Sequence, residues 1–421
     1  MRPALTDDEQ QMLDGGHGDA VATAMRVLVE TAGIMQAPRL LPIVGAHIDG
    51  CLYHGEAGLD FAERLATQGA RVRVPTTLNV ASLDLLHPDL VRLDPATAGR
   101  ARRLMDAYVA MGCSPTWTCA PYQREDRPSL GDQIAWAESN AIVFANAVLG
   151  ARTERYGDFI DICCAITGRA PAVGLHTDEG RYAALHVKVH GLPDTLAREP
   201  AALAALGHLV GSLAGAEVPV IDGLPPGLSE DGLKALGAAA ASSGAVAMFH
   251  AVGSSPEAPT LAAALGGDEP ARVVEVDLPM LRDARDELST VAPGGPLGAV
   301  SLGTPHASVD ELQHLVRLVG DIGPPVVPLY VNTGRDTLAQ LDRAGAGDAL
   351  RAAGVTVVTD TCTYVTPVLH DVEGAVMTDS AKWAWYAPGN LGFDTVFGTT
   401  HECVRSAALG RVWRDDGAWG T

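Results

Sequence analysis

No run in the chain approaches the roughly 18 uninterrupted apolar residues that a membrane-crossing helix requires, so none is expected. The opening MRPALTDDEQQML holds no apolar segment of the kind a secretory signal carries. Basic residues are outnumbered: 30 Lys and Arg stand against 51 Asp and Glu, a net charge of −21. Such a surface repels nucleic acid and anionic membranes, so neither is expected as a partner. A local basic pocket for a small carboxylate remains compatible with it. Also missing are a CxxC pair, HExxH, GxSxG, a P-loop lysine motif and a dinucleotide fingerprint at a first strand–helix turn. A simple nicotinamide dehydrogenase is therefore disfavoured. The seven cysteines, Cys51, Cys113, Cys119, Cys163, Cys164, Cys362 and Cys403, are odd in number and scattered, which does not read as a disulfide framework. A cytoplasmic enzyme with reduced thiols is the expectation.

What is present is length, glycine and strand–helix alternation. At 421 residues, two or three domains are expected. Aromatics are few (5%) and glycines many (46), which suits an α/β protein with tight strand–helix junctions. Thr6 and Glu9 form a capping box for a helix opening a helical stretch over 6–36. RLLPIVGAHIDG (39–50) and RVRVPTTLNV (71–80) read as strands around a helix, a parallel unit. A helix over 96–111 leads to Cys113. Residues 132–150 read as one long buried helix, and 254–296 as a connector or domain edge around two short elements. From Gly298, three strands alternate with two helices, and each strand ends in a polar loop. The expected domains are 1–200, 201–295 and 296–421.

Chemistry concentrates in Met111–Tyr156. This stretch holds Cys113 and Cys119, then Glu138, Ser139 and Asn140 in an apolar segment, then Arg152 and Arg155. Thiols, carboxylates and guanidinia close in sequence can hold a metal beside an anionic substrate. Two inert thiols in a buried loop is the competing reading. Thiolates converging from separate strands would be needed for an iron or iron–sulfur site, and Cys362 and Cys403 are further loop candidates. Cys163 and Cys164 are read as core, because adjacent side chains point apart. His47 and His306 lie at strand ends, where α/β proteins place ligands, but either could be a satisfied structural histidine. Arg152 follows Gly150 at a helix end, where a cation is favourable anyway. Trp383 and Trp385 read as packing, and Asp49 as a loop hydrogen bonder.

TCAPY (118–122), GDQIAWAESNAIVFANAVLGART (131–153), VPTTLN (74–79), DTCTYV (360–365), TDSAKWAWY (378–386) and HECV (401–404) resemble the aconitase X family over essentially the whole chain. The resemblance implies three α/β domains like those of aconitase. The fourth, swivelling domain would be absent here and supplied as a small separate subunit. It implies a lyase that removes water from a small hydroxy acid, either cis-3-hydroxy-L-proline or mevalonate 5-phosphate, with an iron–sulfur cluster or mononuclear iron. Cys119 and Cys362 match the family's metal-site motifs. Archaeal mevalonate-phosphate members carry a further cysteine in GCPH; here the motif is GTPH, with Thr304 in its place. Cys113 is then the expected third ligand and Cys403 the reserve. GCSPTWTCAPYQ together with GTPH favours the hydroxyproline type.

Eliminating water from cis-3-hydroxyproline requires removal of the α-carbon proton, stabilisation of the resulting enediolate and protonation of the departing hydroxyl. His47, His306, Glu138 and Lys382 are the expected catalytic groups. Arg152, Thr76, Asn79, Ser139 and Asn140 are expected to bind substrate, Arg152 or Lys382 taking the carboxylate. The base in aconitase-like enzymes is a serine of the swivelling domain, so it is expected on the partner. The competing functions are a mevalonate 5-phosphate dehydratase, a non-catalytic metal-binding regulator, and a cofactor-free isomerase relaying protons between Cys113 and Cys119.

Overall fold

The computed structural model describes residues 2–415, 417 and 419. Positions 1 and 421, the outer ends of the expected first and third domains, fall outside them. Fourteen strands are named among the described residues, and they fall mainly into three parallel sheets. In the first region, β1 (Leu40–Pro42) pairs antiparallel with β5 (Arg169–Pro171). β2 (Ala46–Ile48), β3 (Thr76–Leu78) and β4 (Ala135–Trp136) make a parallel sheet of order β3-β2-β4. The stretch read as one strand over 39–50 is thus two short ones that serve different sheets.

The second region is a parallel sheet of order β8-β7-β6-β9, built from β6 (Leu185–Val189), β7 (Pro219–Asp222), β8 (His250–Ala251) and β9 (Arg272–Val276). It begins at Leu185, earlier than the expected boundary at 200. The segment 254–296, read as a connector or domain edge around two short elements, supplies edge strand β9 and the helix Leu278–Glu287. β9 is largely exposed and rich in charge, which hides its strand pattern. Helices Pro200–Ala214 and Glu230–Ser243 cover this sheet; Pro at the first helical position and the Ser229 cap on Gly232 N–H fix their starts.

The third region is a five-stranded parallel sheet of β10 (Leu297–Ala307), β11 (Leu329–Thr333), β12 (Val355–Val358), β13 (Ala375–Thr378) and β14 (Thr395–Phe397), in the order β12-β11-β10-β13-β14. The chain moves outward from β10 to β12, then returns to the other side of β10. β10 and β13 therefore flank a switch point, where open α/β sheets bind ligands. The register of β10 breaks between Leu302 and Ala307, a bulge that Gly303 accommodates at φ 76°. A Cβ on Gly303 would sit 2.2 Å from the Asn332 carbonyl oxygen, so only glycine fits.

The largest departure from the sequence pattern is 132–150. Residues 135–136 are strand β4, the helix runs only Ser139–Phe144, and a π-helical turn, Ala145–Leu149, ends at Gly150 in the left-handed region. Glu138 caps that helix through Ala141 N–H at 2.9 Å. The four apolar residues 134–137 ahead of that cap are too few for their period to distinguish strand from buried helix.

Candidate active site

The carboxyl ends of the first and third sheets face each other, and the candidate site lies where they meet. Cys119 comes from the loop before the short 3₁₀ turn Pro121–Gln123, Cys362 from the loop after β12, and His306 from the bulged end of β10. Their ligand atoms all lie within 4.8 Å of one another, and all three residues are buried. The His306 backbone N–H donates to Cys119 Sγ at 3.3 Å. Burial lowers the His306 pKa to about 4, so the ring is neutral. Its Nε2 lies 3.2 Å from the Thr361 carbonyl and its Nδ1 lies 3.0 Å from the Thr118 hydroxyl. A carbonyl can only accept, so the proton sits on Nε2 and Thr118 donates to Nδ1.

The Cys362 thiol is pushed well up, first by its hydrogen bond to Cys119 and then by burial; the ammonium of Lys382 pulls the other way. Two buried thiols side by side cannot both ionise without a cation between them. The donor set, two thiols and an imidazole, fits a soft transition metal better than calcium or magnesium. The two sulfurs are the ready donors, whereas His306 would have to release Thr118 or Thr361 to ligate.

Beside the thiols lies an ion pair. Lys382, in the first turn of helix Ala381–Leu391, places Nζ 2.6 Å from Glu138 Oε1 and 3.2 Å from Ser139 Oγ, and both ionised side chains are buried. Nζ also stands 5.8 Å from the Tyr364 ring centre. Burial opposes the Lys382 charge, but Glu138 and the neighbouring groups outweigh it and hold the ammonium well above its ordinary range. Asn140 Nδ2 donates to Glu138 Oε2 and, at 3.0 Å, to the Cys119 carbonyl; its Oδ1 accepts from Tyr122 Oη at 2.6 Å. One amide thus ties the ion pair to the thiol loop.

Of the residues singled out in the sequence, the structure brings together Cys119, Cys362, His306, Glu138, Lys382, Ser139 and Asn140. It does not bring Cys113 there. Cys113 packs in the first core near Cys51 and Asp161, where burial and then the Asp161 charge push its thiol up to about 12. Cys403 lies in the third core on helix Thr400–Leu409 with Val404 and Ala407. Arg152 is engaged elsewhere, 2.5 Å from Asp178, 3.8 Å from Glu257 and 3.4 Å from the His176 carbonyl, so it is not the free carboxylate anchor expected. Thr76 donates its hydroxyl to the Val74 carbonyl at 2.8 Å. His47 sits within β2, with Nδ1 2.8 Å from Thr77 Oγ1 and Nε2 buried without a partner. Asn79 adjoins Asp49. Sequence reasoning passed over Tyr122, Tyr364 and Thr118, which lie inside the quoted motifs TCAPY and DTCTYV, where nearness to a ligand was the available signal. Asp49, read as a loop hydrogen bonder, accepts from Asn79 and donates its backbone N–H to Asp161.

Three α/β units, two of them closing their strand ends around a thiol–imidazole group and a buried ion pair, have the architecture of aconitase-like proteins. Models of the aconitase X first, second and third domains match residues 2–179, 183–286 and 297–409. The chain is similar to the cis-3-hydroxy-L-proline dehydratases of Pseudomonas aeruginosa (44% identity, covering 99% of this chain and 72% of that protein) and Hypocrea jecorina (40%, covering 96% and 69%). It is also similar to the phosphomevalonate dehydratase large subunit of Methanothermobacter thermautotrophicus (38%, covering 95% and 98%). The holo-form crystal structure of Thermococcus kodakaraensis aconitase X superposes with a TM-score of 0.86 at 31% identity, covering 96% of this chain and all of that one. The chain belongs to the aconitase X family. No helix among its described residues is long and apolar enough to cross a membrane.

Proposed function

We propose that the chain is the catalytic part of a hydro-lyase that dehydrates cis-3-hydroxy-L-proline to pyrroline-2-carboxylate, with an iron or iron–sulfur centre on Cys119 and Cys362. The observation that carries this is the thiol pair, joined by His306 and flanked by the Glu138–Lys382 pair, in a chain 44% identical to a protein of that activity. When bound, iron supplies a Lewis acid that eases loss of the 3-hydroxyl. Lys382, held by Glu138 and Ser139, binds the substrate carboxylate and stabilises the negative charge that develops on it as the α-proton leaves. In the reaction the Cα–H and C3–O bonds break, the C2=C3 bond forms and water departs. The enamine then tautomerises to the cyclic imine. Asn140 and Tyr122 keep Glu138 and the Cys119 loop in register. Neutral His306, fixed on both sides, sets the Cys119 sulfur through its backbone N–H.

The base is a group of a small swivelling partner. Relatives whose names read "large subunit" support such a partner. A second reading, mevalonate 5-phosphate dehydration, is favoured by the match to 98% of the Methanothermobacter protein's length. It needs a phosphate site of two or more basic groups, Arg152 with Arg155 or Lys382, and Arg152 is occupied by acidic partners while Lys382 is paired with Glu138. A proton relay between Cys113 and Cys119 has no support, because Cys113 lies in the first core. The test is to co-express the chain with its small partner, load it with iron anaerobically, and assay both substrates. Turnover of cis-3-hydroxy-L-proline alone is expected; turnover of only mevalonate 5-phosphate, or of neither, would overturn the reading.

A further inference from the structure

The three strands of the first sheet end on three polar side chains. Asn79 follows β3, Asp49 follows β2 and Glu138 follows β4, so they stand side by side in the order of the sheet. Glu138 is already bound to Lys382. Asp49 has no basic partner: its oxygen accepts from Asn79 Nδ2, and its backbone N–H donates to Asp161 at 2.8 Å. The charges it feels are those of Glu138, Asp158 and Asp161, all acidic. The other end of the Asn79 amide, Oδ1, is buried and accepts from nothing. A second buried oxygen in the same neighbourhood, Tyr108 Oη, is likewise without a partner. Partnerless buried acceptors are costly, and a native site that holds them is waiting for a donor. Unlike its sealed neighbours, Asp49 is only half-buried, so a ligand can reach it. The result is a patch of oxygen acceptors within electrostatic reach of Glu138, the partner of Lys382.

We infer that Asp49 and Asn79 bind the ring nitrogen of the substrate, its secondary ammonium donating one N–H to the Asp49 carboxylate and the other to Asn79 Oδ1. The inference rests on the reading of the substrate as a cyclic amino acid. A pyrrolidinium has two N–H protons and one positive charge, and the patch offers two acceptors, one of them a carboxyl that this cation would hold ionised. The substrate would then lie with its carboxylate toward Lys382 and its nitrogen toward Asp49. Its reacting α-carbon, bonded to both groups, is placed between them. Withdrawal from water, and then the like charges of Glu138, Asp158 and Asp161, raise the Asp49 carboxyl to about 8, as expected of an acid that lacks its cation. Mevalonate 5-phosphate carries no nitrogen and would leave the same acceptors unpaired. Asp49 and Asn79 are thereby residues that set specificity.

The test is binding by the iron-loaded complex of L-proline and of its uncharged oxygen isostere, (S)-tetrahydrofuran-2-carboxylate, measured as competitive inhibition and by calorimetry. A charge-assisted hydrogen bond predicts a preference for proline of about 10- to 100-fold in the native protein. Asp49→Asn, close to isosteric, should reduce that preference to within about threefold, almost wholly by weakening proline. Asn79→Leu, which removes the unpaired oxygen by a different route, should lower it in the same direction. In turnover, Asp49→Asn should raise KM for cis-3-hydroxy-L-proline more than it lowers kcat. An unchanged preference in both variants, with native dehydration of cis-3-hydroxy-L-proline intact, would overturn this inference alone. Absence of native activity on that substrate would overturn the functional reading and this inference with it.

Discussion

Two pairs of thiols, one at the meeting of the first and third sheets and one inside the first core, differ in their surroundings. Cys119 and Cys362 stand in loops from separate domains, with a backbone N–H on one sulfur and the Lys382 ammonium acting on the other. Cys51 and Cys113 share the core of one domain. Their neighbours are Asp49 and Asp161, which together with burial push the Cys51 thiol up, and burial and Asp161 do the same to Cys113. Cys51 Sγ even acts as a donor, to the Ile48 carbonyl at 3.4 Å. What marks a thiolate site is therefore not the number or spacing of cysteines. It is whether donors and cations surround the sulfur so that its proton can leave. Cys51 and Cys113 have only acidic company, whereas Cys119 and Cys362 stand where a metal cation, aided by the His306 N–H and the Lys382 ammonium, could displace their protons.

The largest expected effect tests that contrast directly. Cys362→Ser should abolish stoichiometric iron in the purified complex, and with it dehydration by at least about 10³-fold, taking the metal as an electrostatic stabiliser of the usual size. Cys113→Ser should retain iron to within about twofold, with only the loss of stability that a core change brings, about 1 kcal/mol. Metal analysis and visible spectra decide it. Loss of iron in Cys113→Ser with retention in Cys362→Ser would reverse the comparison. The next effect comes from removing the cation. Lys382→Met leaves Glu138 buried and unpaired and takes away the proposed carboxylate anchor. The expected outcome is a fall in kcat of about 10²- to 10⁴-fold. Iron occupancy should fall less, since two sulfurs remain. Normal turnover in this variant would show that the cation near Cys119 and Cys362 is structural only.

The sheets and cores were legible in the sequence wherever apolar period and turn chemistry agreed. The capping box at Thr6 and Glu9 forms as the spacing predicts, and the parallel pairing of β2 with β3 follows from strand, helix and strand in order. The third region was legible only in part. The expected three strands are there, but β13 and β14 were hidden in a tail whose tryptophans and glycines drew attention from two short apolar runs. At the site, Cys119, Cys362, His306, Glu138 and Lys382 were within reach because each sits in a distinctive motif or at a strand end. Cys113 was misplaced for a physical reason: five residues of loop separate it from Cys119, enough to carry the chain from one core to an interdomain cleft. Arg152 was misplaced because a guanidinium beside a helix end gives no hint of the carboxylates, Asp178 and Glu257, that the fold brings to it.

The smallest expected effect probes the acidic side of the comparison through pH. The Asp49 carboxyl is raised to about 8 in the folded protein, against an ordinary value of 3.8. Between those two values the folded state holds a proton that the unfolded state has released. Stability from this group is therefore fully present below about 4 and is lost as pH rises through about 8. His306 has the opposite sign. With its pKa lowered to about 4 from 6.5, it contributes stability that is present above 6.5 and lost as pH falls through 4. The raw pH profile of unfolding mixes these opposed contributions, but the difference between native protein and Asp49→Asn isolates one of them, because Asn does not titrate. Urea unfolding of the two metal-free proteins should show the native advantage shrinking by at most about 1.4 kcal/mol per pH unit as pH rises from 5 to 8, then levelling. Asp49 is partly open to solvent, so a slope of half that size is expected. A difference that grows with rising pH would mean that a basic group holds Asp49 ionised in the folded state, and the contrast between an acidic thiol pair and a cationic one would fail at its acidic end.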